Sequence, residues 1–510
     1  MKRQRFGKRF FALAASSLFL LPSLSLFSGC GEETTVLRVY NWEEYIDEGG
    51  EDSYAYDPVE NPDAPSMIED FEAWYKETYH KSVRVEYSTF GTNEDLYNQL
   101  KLGNQYDLVC PSEYMIMKLA AENMLEPLSK TFFDKENELN YYVNNVSPYI
   151  AEVFESGTVP VNGEARRWSE FAAGYMWGTT GLVYNPEYVT EEALEREGWR
   201  ILLDPAYEKR VTTKDNVRDS YFVGLGILYQ DELLALKERY EQGEISSDSY
   251  HKQVTDIMNR TDEETVSAVQ DILIRMKQNI FGFETDTGKS DMVKGTIYIN
   301  FAWSGDAVYA MDLADEDDVT LCFFNPNESA NLFFDGWCMP KGANREVAEA
   351  FINFMAIPEN AVRNMDYIGY TSVIAGEEVY SYAVENYGVE EGDEDEAVPY
   401  DLSYFFGEEK VLYTYEDQLN RQLYGQFPPL ETVYRCAVMD YYGDREERIN
   451  ELWTKVKGES LDAWAIAVIC VAVVFVVGFV LFVKFGSRID FFRLKPKKGY
   501  ELVKQEPYRE

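Results

Sequence analysis

The chain has 510 residues and carries 90 acidic against 47 basic side chains, a formal net charge of −43. Such a surface repels nucleic-acid phosphate and anionic lipid and attracts cations, and two histidines, His80 and His251, argue against a histidine metal site or a His-based triad. At about 150 residues per domain the length allows roughly three units, fewer once the hydrophobic ends are set aside.

The first thirty residues, MKRQRFGKRFFALAASSLFLLPSLSLFSGC, put five basic side chains before an apolar run and the small pair Ser28-Gly29 before Cys30. This is the plan of a secretory signal over 1–30. Its ending, FSGC, resembles a bacterial lipobox, in which the cysteine is lipidated, although Phe27 stands where leucine is usual. Cys30 is therefore the expected lipidation site; the alternative is a signal kept as an anchor.

The first strand is expected at VLRVYN (36–41), followed at once by Trp42, Glu43, Glu44 and Tyr45. An indole, two carboxylates and a phenol make a poor core but a good seat for an organic cation. DEGGEDSYAYDPVENPDAP (47–65) is acidic and rich in turn formers, and reads as a solvated insertion. Strands are expected at VRVEYS (83–88) and YDLVCPS (106–112), with helices at FEAWYKETYH and EDLYNQLKLG between them. GLVYN (181–185), GTIYINF (295–301) and VTLCFF (319–324) supply further strands. A long charged helical region covers 231–281, and NREVAEAFINFMA (344–356) has helical apolar spacing with Pro358 just beyond it. VEEGDEDEAVP (389–399) reads as a second solvated insertion. Strands alternating with helices indicate an α/β fold with a largely parallel sheet.

Ala463 to Val483 is 21 residues without a charge, enough at 1.5 Å per residue to cross a hydrocarbon core of ~30 Å. Lys484, Arg488, Arg493, Lys495, Lys497 and Lys498 follow, which marks the cytoplasmic side. Residues 1–29 hold five basic and no acidic side chains, and residues 484–510 hold eight basic and four acidic, so the stretch between them carries −52. Both flanks predict that this stretch lies outside the cell membrane. Its cysteines, Cys110, Cys322, Cys338 and Cys436, are too widely spaced for a zinc pattern and are expected in the core.

In open α/β sheets ligands bind beyond the carboxyl ends of strands. After the expected strands come NWEEY, then Pro111-Ser112-Glu113-Tyr114, then Trp303-Ser304-Gly305-Asp306; Asp335 follows NLFF, and Gly369-Tyr370 follow Tyr367-Ile368. Aromatic side chains recur beside carboxylates or hydroxyls. The ordered series YNWEEYI, YSTFGTNEDLYNQLK, YDLVCPSEYMIMKL, YMWGTTGLVYN, FAWSGDAVYAM, AFINFMAIPENA and YIGYTS resembles the substrate-binding component of spermidine/putrescine ABC importers, across nearly all of 35–457. The resemblance implies ligand contacts from Trp42, Tyr45, Ser112 and Tyr114. It implies an acidic contact at Asp219, a ring along the methylene chain at Trp303, an ammonium partner at Asp335 and a phenol at Tyr370. Glu43 stands where some members have threonine, Asn216 where relatives can have aspartate, and Phe333 where a tryptophan precedes the aspartate. A family glutamine has no clear match around Met439.

What the resemblance implies is a two-lobed, type II periplasmic-binding-protein-like α/β fold with a hinge, plus one C-terminal transmembrane helix read from the apolar run. The first lobe is expected over 31–177 with a return segment over 336–395, the second over 178–335, and a C-terminal segment over 396–460 packs on both. The crossover strands lie near residues 177 and 335. The expected role is capture of putrescine or spermidine and delivery to an ABC permease with its ATPase, without cofactor, bound metal or catalysis. The alternatives are a membrane-anchored sensor of polyamines or other organic cations, and an extracellular hydrolase using paired carboxylates.

Overall fold

The computed structural model describes residues 34–458, apart from 286 and 408. The expected signal, Cys30, the apolar run 463–483 and the basic tail lie outside the described residues. Among the described residues no helix is long and apolar enough to cross a membrane.

The aliphatic and aromatic alternation of the first expected strand becomes Thr35–Trp42, which pairs in parallel with Val83–Phe90 on one side and Leu108–Val109 on the other. Parallel pairing requires crossovers, and the helices Met67–Tyr79 and Asn93–Lys101 provide them. Met67–Tyr79 starts at a capping box in which Ser66 and Glu69 satisfy each other's backbone N–H groups. A second parallel wing consists of Gly282–Glu284, Val211–Lys214 and Ile299–Trp303. Three helices, Val217–Glu241, Ser247–Met258 and Glu263–Asn279, occupy what the sequence suggested was one charged helical region. The breaks fall at Gly243 and at Asp262, which caps the third helix.

Two long strands join the wings. Ala172–Tyr184 and Leu332–Pro340 run antiparallel at the centre of the sheet, and every residue of both is buried. Their outer neighbours are Ile299–Trp303 on one side and Leu108–Val109 on the other. Phe333 lies opposite Gly178, and the register shifts between Asp335 and Gly336. Gly178 is required here: an added Cβ would stand 2.9 Å from the Phe333 ring and overlap the Ser304 hydroxyl. Fully buried Trp177 and Trp337 anchor the core around this pair.

Several expectations need correction. The strand read at 295–301 begins at Ile299, because Gly295 adopts a left-handed turn after the helix Gly288–Val293. Pro358 does more than follow a helix; it opens the next one, Pro358–Ile368, where its missing N–H is harmless. The segment 47–65 is not simply solvated. Asp47 and Ser53 are buried, the Ser53 hydroxyl donates to Asp47 at 2.6 Å, and Arg363 pairs with Asp47, which pins the loop to Pro358–Ile368. A buried carboxylate is tolerated because a cation and hydrogen bonds meet it. Within 389–399 the residues to Glu396 are turn and short helix, and Val398–Asp401 pairs with Val411–Thr414. All four cysteines of the described residues are buried and free, as expected of core residues.

Candidate ligand-binding site

The carboxyl ends of the parallel strands and the central crossing pair surround a cavity of ≈ 360 Å³. All eleven expected positions line it: Trp42, Glu43, Tyr45, Ser112, Tyr114, Asn216, Asp219, Trp303, Phe333, Asp335 and Tyr370. Met439, around which no family match was found, lines it too.

Asp335 is its most elaborated carboxylate. It sits at the bulge of Leu332–Pro340 and is 5% exposed. The Ser112 hydroxyl donates to Oδ1 and the Tyr45 hydroxyl to Oδ2, each at 2.8 Å. Burial pushes its pKa up to about 6, against the pull of these two hydrogen bonds. Ser112 is fixed by Asn93, whose side-chain oxygen accepts from the Ser112 N–H at 3.1 Å and whose amide donates to the Tyr114 hydroxyl at 3.0 Å. Next to Ser112, Glu113 is buried with its pKa pushed up to about 8 by desolvation, and one oxygen accepts from the Phe334 N–H at 3.1 Å. The sequence reading gave Asn93 and Glu113 no role. Both lie inside quoted motifs, but Glu113 shows its character only through burial.

Asn216 caps Val217–Glu241, accepting from the N–H groups of Arg218 at 2.8 Å and Asp219 at 3.2 Å. Asp219, in the first turn, is pushed up to about 7 by burial, while the charge of Lys214 and a hydrogen bond from the Trp303 indole act the other way. Among the described residues neither Asp219 nor Asp335 makes an ion pair. Arg218 stacks between two phenols, its guanidinium carbon 4.2 Å from the centre of the Tyr114 ring and 3.9 Å from that of Tyr442, and it donates to the Asp440 carbonyl.

Rings complete the walls. Tyr45 and Tyr370 meet edge-on at 4.9 Å between centroids, Phe333 and Tyr370 at 6.2 Å, and Trp42 tilts against Phe90 at 4.5 Å. Gly305 leaves the room that Tyr370 fills, since an added Cβ would overlap that ring. Trp303 ends its strand and precedes the helix Ser304–Glu316, whose first turn carries Asp306. Burial alone would raise the Asp306 carboxyl, but Lys214 and Lys289 hold it at about 2. Lys214 and Lys289 had no place in the sequence reading. The arrangement therefore offers two buried aspartates, Asp219 and Asp335, that make no ion pair among the described residues, beside the buried Glu113 and enclosed by flat rings, with Glu43 and Glu44 exposed at the mouth.

A putrescine-binding periplasmic protein of Escherichia coli is 26% identical over 360 residues, 69% of this chain and 81% of its own length. A spermidine/putrescine-binding periplasmic protein of the same organism is 25% identical over 378 residues, 73% of this chain and 87% of its own. The crystal structure of a spermidine/putrescine ABC transporter substrate-binding protein from Streptococcus pneumoniae superposes with a TM-score of 0.52 at 25% identity, covering 83% of this chain and 99% of that one. The fold is thus the mixed α/β, two-lobed architecture of periplasmic binding proteins. A family profile matches residues 66–381, within which Ser112, Asp219, Trp303, Asp335 and Tyr370 all fall. With that match across the wings and the cleft between them, the chain belongs to the bacterial extracellular solute-binding protein family, whose members bind solutes rather than transform them.

Proposed function

We propose that the cleft captures a polyamine of the putrescine–spermidine class. The observation that carries this reading is Asp335, fixed by two hydroxyls inside a ring-lined cavity and without an ion pair among the described residues. A polyamine is a methylene chain with ammonium groups at intervals, so it asks for flat rings along the chain and a carboxylate at each charged node. Each charge-assisted hydrogen bond contributes about 1.5–3 kcal/mol net and each cation–π contact about 0.5–2 kcal/mol. A few of each reach micromolar affinity after ordering costs. The names of the relatives support the same solute class. In this reading Trp42, Tyr45, Ser112, Tyr114, Trp303, Phe333 and Tyr370 shape the slot, Asp219 and Asp335 hold ammonium groups, Asn216 orders the Asp219 turn, and Glu43 draws cations to the mouth.

The two wings close about the crossing strands near residues 177 and 335, and the closed form docks on an ABC permease coupled to an ATPase. Lipidation at Cys30 and a span over 463–483 hold it at the membrane, which keeps the captured solute near the permease. The test is calorimetric titration of the full chain in detergent with putrescine, cadaverine, spermidine and spermine, and a neutral sugar as control. Saturable heat with at least one amine and none with the sugar is expected; no heat with any amine overturns the reading.

A further inference from the structure

Given the polyamine reading, on which this inference rests, the length of amine accepted depends on how many carboxylates along the cleft are left for the ligand. Asp306 is well placed to be one of them: it lines the cavity three residues after Trp303. It is already occupied. Lys214 Nζ donates to Asp306 Oδ2 at 2.9 Å, Lys289 Nζ stands 3.6 Å from Oδ1, and the Tyr370 hydroxyl donates to Oδ1 at 3.2 Å. The Lys214 ammonium is also 3.3 Å from Glu284, donates to the Thr285 carbonyl at 3.1 Å and sits 4.6 Å from the centre of the Trp303 ring.

An ammonium beside an aromatic face and bonded to a carboxylate is the geometry a ligand amine would seek. Here the protein's own side chain holds it, and with 1% of that side chain exposed Lys214 is a fixed part of the wall. Among the described residues, Lys214 and Lys289 are paired against Asp306 and Glu284 at this end of the cleft. A ligand ammonium reaching Asp306 meets a carboxylate already paired and a like charge in Lys289, which lines the cavity. Of the three buried aspartates that line the cavity, Asp335 and Asp219 make no ion pair among the described residues.

We propose that Lys214 and Lys289 are built-in substitutes for a ligand ammonium, and that they restrict the cleft to amines with two cationic nodes over those with three or four. Lys289 is the residue that sets this preference, because it reaches the cavity with 16% of its side chain exposed, while Lys214 is sealed behind Trp303.

The experiment compares the wild-type full chain with Lys289→Gln and Lys289→Arg by calorimetry with putrescine, spermidine and spermine, each protein first shown to melt cooperatively. One charge-assisted contact corresponds to roughly a tenfold change in affinity, so wild type is expected to bind putrescine about tenfold tighter than spermine. Lys289→Gln should tighten spermidine and spermine about tenfold and leave putrescine within about threefold, while Lys289→Arg keeps the wild-type order. Spermine bound by wild type as tightly as putrescine, or equal shifts of all three amines in Lys289→Gln, overturns the proposal while leaving polyamine binding intact. Absence of binding by every amine removes both.

Discussion

Asp335 receives two hydroxyl hydrogen bonds, yet among the described residues no cation lies within ion-pair distance. Replacing it with asparagine keeps the size and removes the charge, so Asp335→Asn should weaken amine binding at least about tenfold, the effect of one charge-assisted contact. Calorimetry reads this directly, and unchanged affinity would take Asp335 out of the site. At this scale the sequence was informative where function depends on residue type at a strand end, since Trp42, Ser112, Trp303 and Asp335 all reach the cavity. It was silent where function depends on pairing. Lys214 meets Asp306 across 92 residues and Asp47 meets Arg363 across 316, and no local pattern announces either. Asp47 read as one more solvated acid because its counter-ion lies on a distant helix.

Among the elements, strands that alternate or end in a polar turn were legible, and those buried on both faces were less so. Of Ala172–Tyr184 the residues told of a strand over 181–185 and the resemblance of a crossover near 177, but not where the strand begins, since a continuous apolar run shows no period to mark its start. The helix Val217–Glu241 matters most to the site, because its first turn aims Arg218 and Asp219 and its cap is Asn216. Removing that cap, as in Asn216→Ala, should cost about 1 kcal/mol of stability by urea unfolding. Asn216→Asp preserves the cap, since aspartate serves equally well there, and adds a carboxylate beside Asp219. Unfolding midpoints that match for Asn216→Ala and wild type would mean that the cap is dispensable.

For the whole molecule, the buried acids of the cleft set a pH dependence whose sign is fixed by their direction of shift. Burial pushes Asp335 up to about 6, Asp219 to about 7 and Glu113 to about 8. An unfolded chain releases the same protons near pH ~4. Their contribution to stability is therefore full below that value and is lost as pH rises through the folded values, so the unliganded protein loses it progressively up to about pH 8. Asp306, held at about 2, runs the other way: its contribution is present above the unfolded value and is lost as pH falls towards 2. A bound dication favours the ionised forms of Asp335 and Asp219, so affinity should fall as pH drops from about 8 to about 5, and binding within that range should release protons. Titrations in two buffers of different ionisation enthalpy measure the release. Identical heats in both would show that these carboxyls are already ionised before the amine arrives.

The central strand pair also governs how this polypeptide is finished during synthesis. Leu108–Val109 leaves the ribosome early, yet its neighbour in the sheet is Leu332–Pro340. At about 5–20 residues per second the later strand follows roughly 10–50 s behind. Through that interval the N-terminal wing has an unzipped border of backbone amides and carbonyls, open to pairing with other nascent chains. Truncations that stop short of residue 340 should therefore be insoluble, however sound their early segments, because the strand that seals the first half is made long after its neighbour.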